Sequence, residues 1–424
     1  MAEHMAVHVC PQCGADMPVD EGYPVWCAGC DWNVAPELFV YGLGGTAERR
    51  RELAGRHGTE TFEELAREGT QGLRARLTPS YVLACALALL VHALSFALLG
   101  VGVWLLVRSW GNPFAMVFGV LMVLLFLVLR PRFPKLDESV PRLGRVDAPR
   151  LFKFVDSVAA GTGTRSVDAI VVEPYVNAGV TTYGLRRRVL HLGLGLWAVL
   201  TPQQKVALLG HELGHFANGD TRYTSVVASA LYTLRVWVLV LAPESWKGRL
   251  THLLVAGLLR IPYYAARSTL TLLEKITLRG FPRREYLADD LAAEVASTEA
   301  ARDLMETLLH VERIDGELRR LTDEATADAG RPGTPRLDET LWPRLADHLA
   351  SVPARERERQ RRVSALRWHQ QDATHPPTHL RIELLDRRGP STAKVVLDER
   401  TERAMERELR SSAKRLARAI AQDR

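Results

Sequence analysis

Charged residues are missing from two long stretches of this 424-residue chain. Residues 81–107 contain no Asp, Glu, Lys or Arg over 27 positions, and residues 109–129 contain none over 21. Both lengths reach the roughly 20 residues that a helix needs to cross the hydrocarbon core of a bilayer. We therefore predict a transmembrane helical hairpin over residues 79–130, with its turn at Gly111-Asn112-Pro113. The apolar run begins only at Tyr81, which argues against a cleaved signal peptide.

Lysine and arginine are absent before Arg49, although the whole chain has a net charge of +6. Within that segment the acidic residues around the cysteines are Glu3, Asp16, Asp20, Glu21 and Asp31. Nucleic-acid binding depends on cationic side chains that contact phosphates. The absence of such side chains argues against a phosphate-binding face in this segment, and we expect no nucleic-acid partner.

Cysteine is scarce, with five residues in the chain, yet four of them form two Cys-x-x-Cys pairs. Thirteen residues separate the pair Cys10 and Cys13 from the pair Cys27 and Cys30. This spacing predicts a zinc ribbon over residues 1–40, in which four thiolates hold one structural zinc ion. Disulfides are the alternative, which a cytoplasmic location disfavours. We expect the ribbon to have a structural or protein-docking role.

The most informative stretch is His211-Glu212-Leu213-Gly214-His215. Two histidines four residues apart share one face of a helix and can hold a single zinc ion, beside a glutamate that can deprotonate water. Thr201-Pro202-Gln203-Gln204 predicts a helix start, with a threonine N-cap, a proline in the first turn and a capping box. The alternative is that both histidines are ordinary polar groups on an amphipathic helix. The residues expected on the buried face of this helix are Val206, Leu209, Leu213 and Phe216.

A third zinc ligand is expected downstream, and Glu285 is the best candidate. Two histidines and one carboxylate leave a fourth zinc position for water. Asp289 lies one helical turn after Glu285, so it can orient a ligand histidine or pair with an arginine. Taken alone, a Glu-x-x-x-Asp pair is typical of a solvated helix face. The upstream His-Glu-x-x-His motif favours the ligand interpretation.

A third motif, His375-Pro376-Pro377 with Arg381, completes an ordered set. The order His-Glu-x-x-His, Glu-x-x-x-Asp and His-Pro-Pro-x-x-x-Arg resembles the integral-membrane zinc metalloproteases typified by the heat-shock protease HtpX and the CAAX prenyl endopeptidases. The resemblance covers roughly residues 80–390. It implies a catalytic zinc held by His211, His215 and Glu285, with Glu212 as general base and acid.

The resemblance also implies roles for residues around the metal. Asp289 would support the site, Arg381 would pair with the acidic helix, and His375 would lie close to the zinc. His375 would then either stabilise the oxyanion of the tetrahedral intermediate or cap the open zinc position and hold the enzyme latent.

Two strands are expected before the metal-binding helix, at residues 167–172 and 188–192. Asn177-Ala178-Gly179 lies between them. In the family that the chain resembles, a similar Asn-Ala pair lies on an edge strand that holds an extended substrate through backbone hydrogen bonds. Asn177 and Ala178 are therefore candidate substrate-binding residues. A turn with Asn and Gly in their usual places is the alternative.

Basic residues flank the predicted hairpin on both sides, whereas its turn holds only Arg108. These flanking residues are Arg74, Arg76, Arg130, Arg132 and Lys135. The positive-inside rule places both ends in the cytoplasm, so the ribbon and the active site would face the cytoplasm from the plasma membrane. Residues 223–276 contain further apolar stretches, which we interpret either as membrane helices or as amphipathic helices that cover the active site or lie in the interface.

The C-terminal third alternates acids and bases at helical spacing in residues 355–362 and 399–424. This pattern is typical of solvated helices or of a partner-binding tail.

The predicted fold class is α+β: a mainly helical, zincin-type metallopeptidase domain with a small sheet, anchored in the bilayer. The expected domains are a ribbon (1–40), a linker or helical segment (41–78), the hairpin (79–130), the metallopeptidase domain (140–390) and a charged helical tail (391–424). We predict a zinc endopeptidase with one catalytic and one structural zinc ion that cleaves peptides or proteins, membrane proteins among them. The alternative is a catalytically silent, membrane-anchored scaffold that acts through its ribbon and C-terminal helices.

Overall fold

The computed structural model describes residues 7–36, 46–69, 79–131, 140–184, 187–218, 220–242, 250–327, 336–367 and 375–422. The described chain is mostly helical with a small sheet. The flanking residues Arg74, Arg76, Arg132 and Lys135 lie outside the described ranges, as does Glu3.

The N-terminal cysteine module contains a short antiparallel hairpin and docks on a helix far away in the sequence. Strand β1 (Val7–Val9) pairs with β2 (Asp16–Pro18). Trp26 is buried and packs with Val34, Ala35 and Val363, the last of which belongs to helix α12 (Ala354–Arg367). A module this small buries little apolar surface by itself, and the packing against α12 adds to it.

Two helices occupy the region of the predicted hairpin, α2 (Pro79–Arg108) and α3 (Pro113–Leu129). In the turn between them, the side chain of Asn112 accepts a hydrogen bond from Ala115 N at 3.2 Å and caps α3. A Cβ atom on Gly102 would lie 2.9 Å from the carbonyl oxygen of Gly119, so the two helices approach closely there. Among the described residues, α2 is the one helix both long and apolar enough to span a membrane.

Helix α7 (Asp220–Leu241) and the first half of α8 (Leu250–Ala296) pack against this hairpin. The indole Nε1 of Trp237 donates a hydrogen bond to the carbonyl oxygen of Leu129 at 3.1 Å. Outward-facing side chains such as Leu239 and Ile261 are exposed and apolar. The described parts of residues 223–276 therefore form one helical bundle with the hairpin. The buried contacts between these helices include Ala84, Val91, Ala230, Leu234 and Leu273.

A four-stranded sheet carries the two predicted strands. It consists of β3 (Arg142–Leu143), β4 (Ala169–Glu173), β5 (Ala178–Tyr183) and β6 (Arg187–Gly193), in the order β3-β4-β6-β5. Strand β4 runs parallel to β6, and β5 runs antiparallel to β6. Strand β5 is therefore an edge strand of the described sheet, and it begins at Ala178, so the alternative of a simple turn at residues 177–179 is wrong.

The main core surrounds helix α6 (Pro202–Ala217), which is buried along most of its length. The charged C-terminal helix contributes Met405 and Leu409 to this core, so the predicted tail packs on the domain with its apolar face. The other described helices are α1 (Thr46–Glu68), α4 (Pro149–Gly161), α5 (Leu194–Trp197), α9 (Thr298–Leu308), α10 (Val311–Ala327), α11 (Leu337–Ala350), α13 (Thr378–Arg388) and α14 (Glu399–Gln422).

Candidate metalloprotease site

Helix α6 carries the two histidines and begins where the sequence predicts. The hydroxyl of Thr201 accepts a hydrogen bond from Gln204 N, and the side chain of Gln204 accepts one from Thr201 N at 2.9 Å, which completes the capping box. The predicted buried face is confirmed, since Val206, Leu209, Leu213 and Phe216 are all buried. His211 and His215 lie one turn apart with ring centroids separated by 4.9 Å.

Two glycines on α6 let α8 approach the histidines closely. A Cβ atom on Gly210 would lie 3.1 Å from Ala292 Cα, and one on Gly214 would lie 3.3 Å from Ala288 Cα. The crossing is therefore made of small residues on both helices. This close approach places the part of α8 that contains Glu285 and Asp289 over the histidine pair.

The carboxylate of Glu285 lies among three imidazoles. Its Oε2 is 3.5 Å from Nε2 of His211 and 3.3 Å from Nε2 of His375, and its Oε1 is 3.7 Å from Nε2 of His215. Burial by itself would raise the pKa of Glu285, but the neighbouring imidazoles hold it well below its usual range. The expected partners from α6, α8 and the His-Pro-Pro segment thus converge on one point.

Asp289 connects a histidine to an arginine. Its Oδ1 accepts hydrogen bonds from Nδ1 of His211 at 2.9 Å and from Arg381 at 2.6 Å, and its Oδ2 accepts another from Arg381 at 2.7 Å. Both alternatives for Asp289, orienting a histidine and pairing with an arginine, therefore occur together. The bond to Nδ1 sets the tautomer of His211 so that its Nε2 faces Glu285.

The charge balance of this cluster favours an added cation. Burial would raise the pKa of Asp289, but Arg381 and His211 lower it to about 2. Burial would likewise lower the pKa of His211, but its hydrogen bond to Asp289 and the nearby carboxylate of Glu285 raise it to about 10. Two buried carboxylates thus face one buried guanidinium, and a metal cation would balance the remaining negative charge.

The donor atoms also fit zinc. Glu285 Oε2 is buried and accepts no hydrogen bond from the described residues, and His211, Glu285 and His375 offer ligand atoms within 4.8 Å of one another. Imidazole nitrogens and a carboxylate oxygen are the ligand types of catalytic zinc sites.

Glu212 and the edge strand face the same cleft as the cluster. Glu212 is buried and lines this cleft together with Asn177 and Ala178. The structure thus brings the candidate substrate-binding pair next to the histidine cluster, although about thirty residues separate them in the sequence. The apolar wall of the cleft consists of Leu196, Leu208, Leu304, Met305 and Leu308.

The four N-terminal cysteines form a second cluster. Sγ of Cys10 lies 3.6 Å from Sγ of Cys30, and Sγ of Cys13 lies 3.4 Å from Sγ of Cys27. All four thiols are free, so the disulfide alternative has no support here. Burial would raise the pKa of Cys10, but backbone amides of Cys13 and Gln12 help to lower it to about 6. Four sulfurs within 4.8 Å of one another suit a tetrahedral zinc ion.

Of the two roles predicted for the alternating charges of α12, a solvated helix and a partner-binding segment, the structure contradicts the solvated helix. Arg359 and Glu356 are buried rather than solvated, and Nη1 of Arg359 donates a hydrogen bond to the carbonyl oxygen of Val34 at 2.8 Å. Arg362 bonds the carbonyl oxygen of Ala28, and its guanidinium lies over the ring of Trp26 at 5.0 Å. The partner of this charged helix is therefore the cysteine module of the same chain. Sequence reasoning missed this, because alternating charge is equally typical of a helix exposed to water.

Sequence comparisons show several relatives that are named protease HtpX homologs. The chain is 26% identical to a protease HtpX homolog of Pyrobaculum calidifontis over 63% of its own length and 75% of that protein. It is 25% identical to a protease HtpX homolog of Pyrobaculum aerophilum over 56% of its length and 67% of that protein. A shorter match, 30% identical, covers 26% of the chain and 37% of a protease HtpX homolog of Syntrophobacter fumaroxidans. No solved structure matches the chain.

A family model matches residues 148–389, which is more than half of the chain. The matched region begins before α4 and ends after α13, so it includes the histidines of α6, the acids of α8 and the His-Pro-Pro segment. The ribbon, α1 and the α2–α3 hairpin precede it. By this match and by its HtpX-like relatives, the chain belongs to peptidase family M48.

Proposed function

We propose that the chain is a membrane-bound zinc endopeptidase whose catalytic zinc is held by His211, His215 and Glu285. The observation that carries this proposal is the convergence of the Glu285 carboxylate, from α8, on both histidines of α6, at 3.5 and 3.7 Å. The membership of peptidase family M48 supports the activity. We assign a second, structural zinc to Cys10, Cys13, Cys27 and Cys30.

When bound, zinc acts as a Lewis acid that polarises a peptide carbonyl and lowers the pKa of water. Glu212 lies between the two histidines in the sequence and lines the cleft, so it takes a proton from the attacking water and returns it to the leaving amine. Asp289 holds His211 in its tautomer, and Arg381 in turn holds Asp289.

The cleft suits an extended peptide. Strand β5 has one edge unpaired within the described sheet, and Asn177 and Ala178 at its start line the cleft. A substrate strand that pairs with this edge would be held through its backbone and would lie across the cluster. The buried wall with Leu304, Met305 and Leu308 would take an apolar substrate side chain.

The membrane places limits on the substrate. The hairpin of α2 and α3 would anchor the peptidase domain with its cleft near the cytoplasmic face, as the flanking basic residues predict. Peptides and proteins at that surface, including segments of membrane proteins, are the proposed substrates.

The decisive experiment replaces Glu212 with Gln. The side chain keeps its shape but cannot act as a base, so we expect an unchanged zinc content and a fall in peptide hydrolysis of about 10²- to 10⁴-fold. Hydrolysis of a fluorogenic peptide and metal content by mass spectrometry are measured on the full chain in detergent. Glu294→Gln is the matched control. Glu294 lies on the same helix as Glu285, but its carboxylate pairs with Lys394 on the surface. Full activity in Glu212→Gln would contradict the mechanism.

The position of His375 favours a second candidate function, a zinc-binding scaffold without activity. Its Nε2 is 3.3 Å from Glu285 Oε2, and structural zinc sites use protein ligands at all four positions. Such a protein would act through its ribbon and C-terminal helices. Zinc bound at the α6–α8 site without hydrolysis, both in the unaltered chain and in His375→Ala, would support the scaffold. Chelator-sensitive hydrolysis that Glu212→Gln abolishes would exclude it.

A further inference from the structure

Helix α1 lies outside the family match yet packs directly on the elements that carry the active-site residues. Phe62 and Leu65 of α1 form a buried cluster with Tyr286 of α8 and with Leu380 and Leu384 of α13. Tyr286 is the residue next to Glu285, and the α13 residues follow the His-Pro-Pro segment. One face of α1 therefore contacts the helices that position both Glu285 and Arg381.

Polar contacts fix the position of α1 on α8. Arg283 of α8 forms ion pairs with Glu64 and Glu68 of α1, each at 3.0 Å. The buried hydroxyl of Tyr286 donates a hydrogen bond to the carbonyl oxygen of Gly58 at 3.2 Å. These contacts involve Arg283, two residues before Glu285, and Tyr286, the residue after it, so α1 cannot shift along α8 without breaking them.

Gly58 is the point at which α1 touches the His-Pro-Pro segment. A Cβ atom there would lie 2.7 Å from Cδ of Pro377, 3.4 Å from Cβ of Pro376 and 3.5 Å from the backbone Cα of Pro376. Proline ring carbons cannot rotate away, because the ring is closed on the backbone nitrogen. Glycine is also a poor residue for the middle of a helix, and Gly58 is buried in the middle of α1. Its lack of a side chain is what allows this contact.

We infer that α1 positions His375 in the active site by supporting Pro376 and Pro377 at Gly58. The two prolines stiffen the chain, so a displacement at Pro376 is passed to His375, the residue directly before it. His375 Nε2 lies 3.3 Å from Glu285, so a shift of this segment changes the contact between His375 and the cluster. The inference rests on the proposed function in one respect only: it takes the His211–Glu285–His375 cluster to be the active site.

Gly58→Ala tests the inference, because it adds one methyl group at the contact. Gly316→Ala is the matched control, since Gly316 lies exposed within α10 and a Cβ there has no neighbour within 4 Å. Both changes are made in the full chain and again in a His375→Ala background. Three quantities are measured: kcat and KM for a fluorogenic peptide, zinc content, and hydrogen exchange of the Leu380 and Arg381 amides, which donate to the carbonyl oxygen of Pro377.

We expect Gly58→Ala to change kcat in the same direction as His375→Ala, with little change in KM. A displacement of roughly 1 Å at a catalytic group can alter a rate by about 10²-fold, so a change of at least about tenfold is expected. In the His375→Ala background the same methyl group should have no further effect on kcat. Exchange at Leu380 and Arg381 should become faster in Gly58→Ala and stay unchanged in Gly316→Ala.

An equal loss of kcat from Gly58→Ala with and without His375 would overturn the inference, because α1 would then act only on stability. Unchanged exchange at Leu380 and Arg381 would overturn it as well. If the chain hydrolyses no peptide, the exchange measurement still tests the support by α1, so failure of the proposed function remains distinguishable. Should Gly58→Ala not fold, Tyr286→Phe removes the hydrogen bond to Gly58 without adding volume, and the same non-additivity with His375→Ala is expected.

Discussion

At the scale of single residues, Asp289 links a histidine and an arginine of the candidate site. It is 2% exposed and holds His211 on one side and Arg381 on the other. A carboxylate that hydrogen-bonds the unused nitrogen of a ligand histidine fixes the ring and makes it a better donor. The Glu-x-x-x-Asp spacing predicted a residue able to do this, but only the structure identifies which histidine it holds.

Asp289→Asn should weaken zinc binding at the α6–α8 site about 10- to 100-fold, because the amide carries no charge and orients His211 less firmly. Competition with a chelator of known affinity measures the effect. Asp290→Asn is the control, since Asp290 is equally buried but pairs with Arg388, away from the histidines. Equal zinc affinity in Asp289→Asn and Asp290→Asn would show that Asp289 has no special role at the metal.

At the scale of elements, the crossing of α6 and α8 decides whether the ligands meet. Glu285 lies about seventy residues after His215, and nothing in the local pattern of either helix sets the distance between them. Gly210 and Gly214 set it, because they let the backbone of α8 approach to van der Waals contact.

Gly210→Ala should separate the two helices by a few tenths of an ångström, because its Cβ would meet the backbone of Ala292 at 3.1 Å. We expect a loss of stability of about 1–3 kcal/mol together with weaker zinc binding. Thermal unfolding and chelator competition measure the two effects. Gly257→Ala on α8, where a Cβ has no neighbour within 4 Å, serves as the control. Undiminished zinc affinity in Gly210→Ala would mean that the crossing tolerates the methyl group.

The ribbon and α12 form the second interaction between distant elements. Cys27→Ser should lower the zinc content from two ions per chain to one, because a serine hydroxyl replaces a thiolate ligand. Loss of the folded ribbon should also expose α12, which limited proteolysis would detect as a new cut there. Cys85 is the fifth cysteine of the chain and lies in α2, outside the cluster. Cys85→Ser should therefore keep both ions. Two ions in Cys27→Ser would rule out the four-thiolate site.

At the scale of the whole molecule, the orientation in the membrane is the main prediction. The turn between α2 and α3 should lie outside the cytoplasm, and the ribbon and the peptidase domain should lie inside it. A membrane-impermeant maleimide added to intact cells should therefore label Trp110→Cys, because residue 110 lies in that turn and its side chain is 83% exposed. The unaltered chain, with its five native cysteines, should not be labelled. Labelling of the unaltered chain in intact cells would contradict the predicted orientation, because a native cysteine would then lie outside the cytoplasm.

Local features of this chain could be predicted from its sequence because they depend on neighbours a few residues away. The capping box at Thr201, the paired histidines on α6, the apolar runs of α2 and α3 and the four cysteines belong to this class. Helical spacing, hydrogen-bond capacity and hydrophobicity are local properties, so a pattern suffices to indicate them.

Only the tertiary structure decided which distant segments meet. The burial of Arg359 and Glu356 under the ribbon, the contact of Gly58 with Pro377 and the apolar wall from α9 follow from packing between segments far apart in the chain. Periodicity predicts that a helix has a buried face but not what covers it. Contacts of that kind depend on shape, and shape is set by the assembled core.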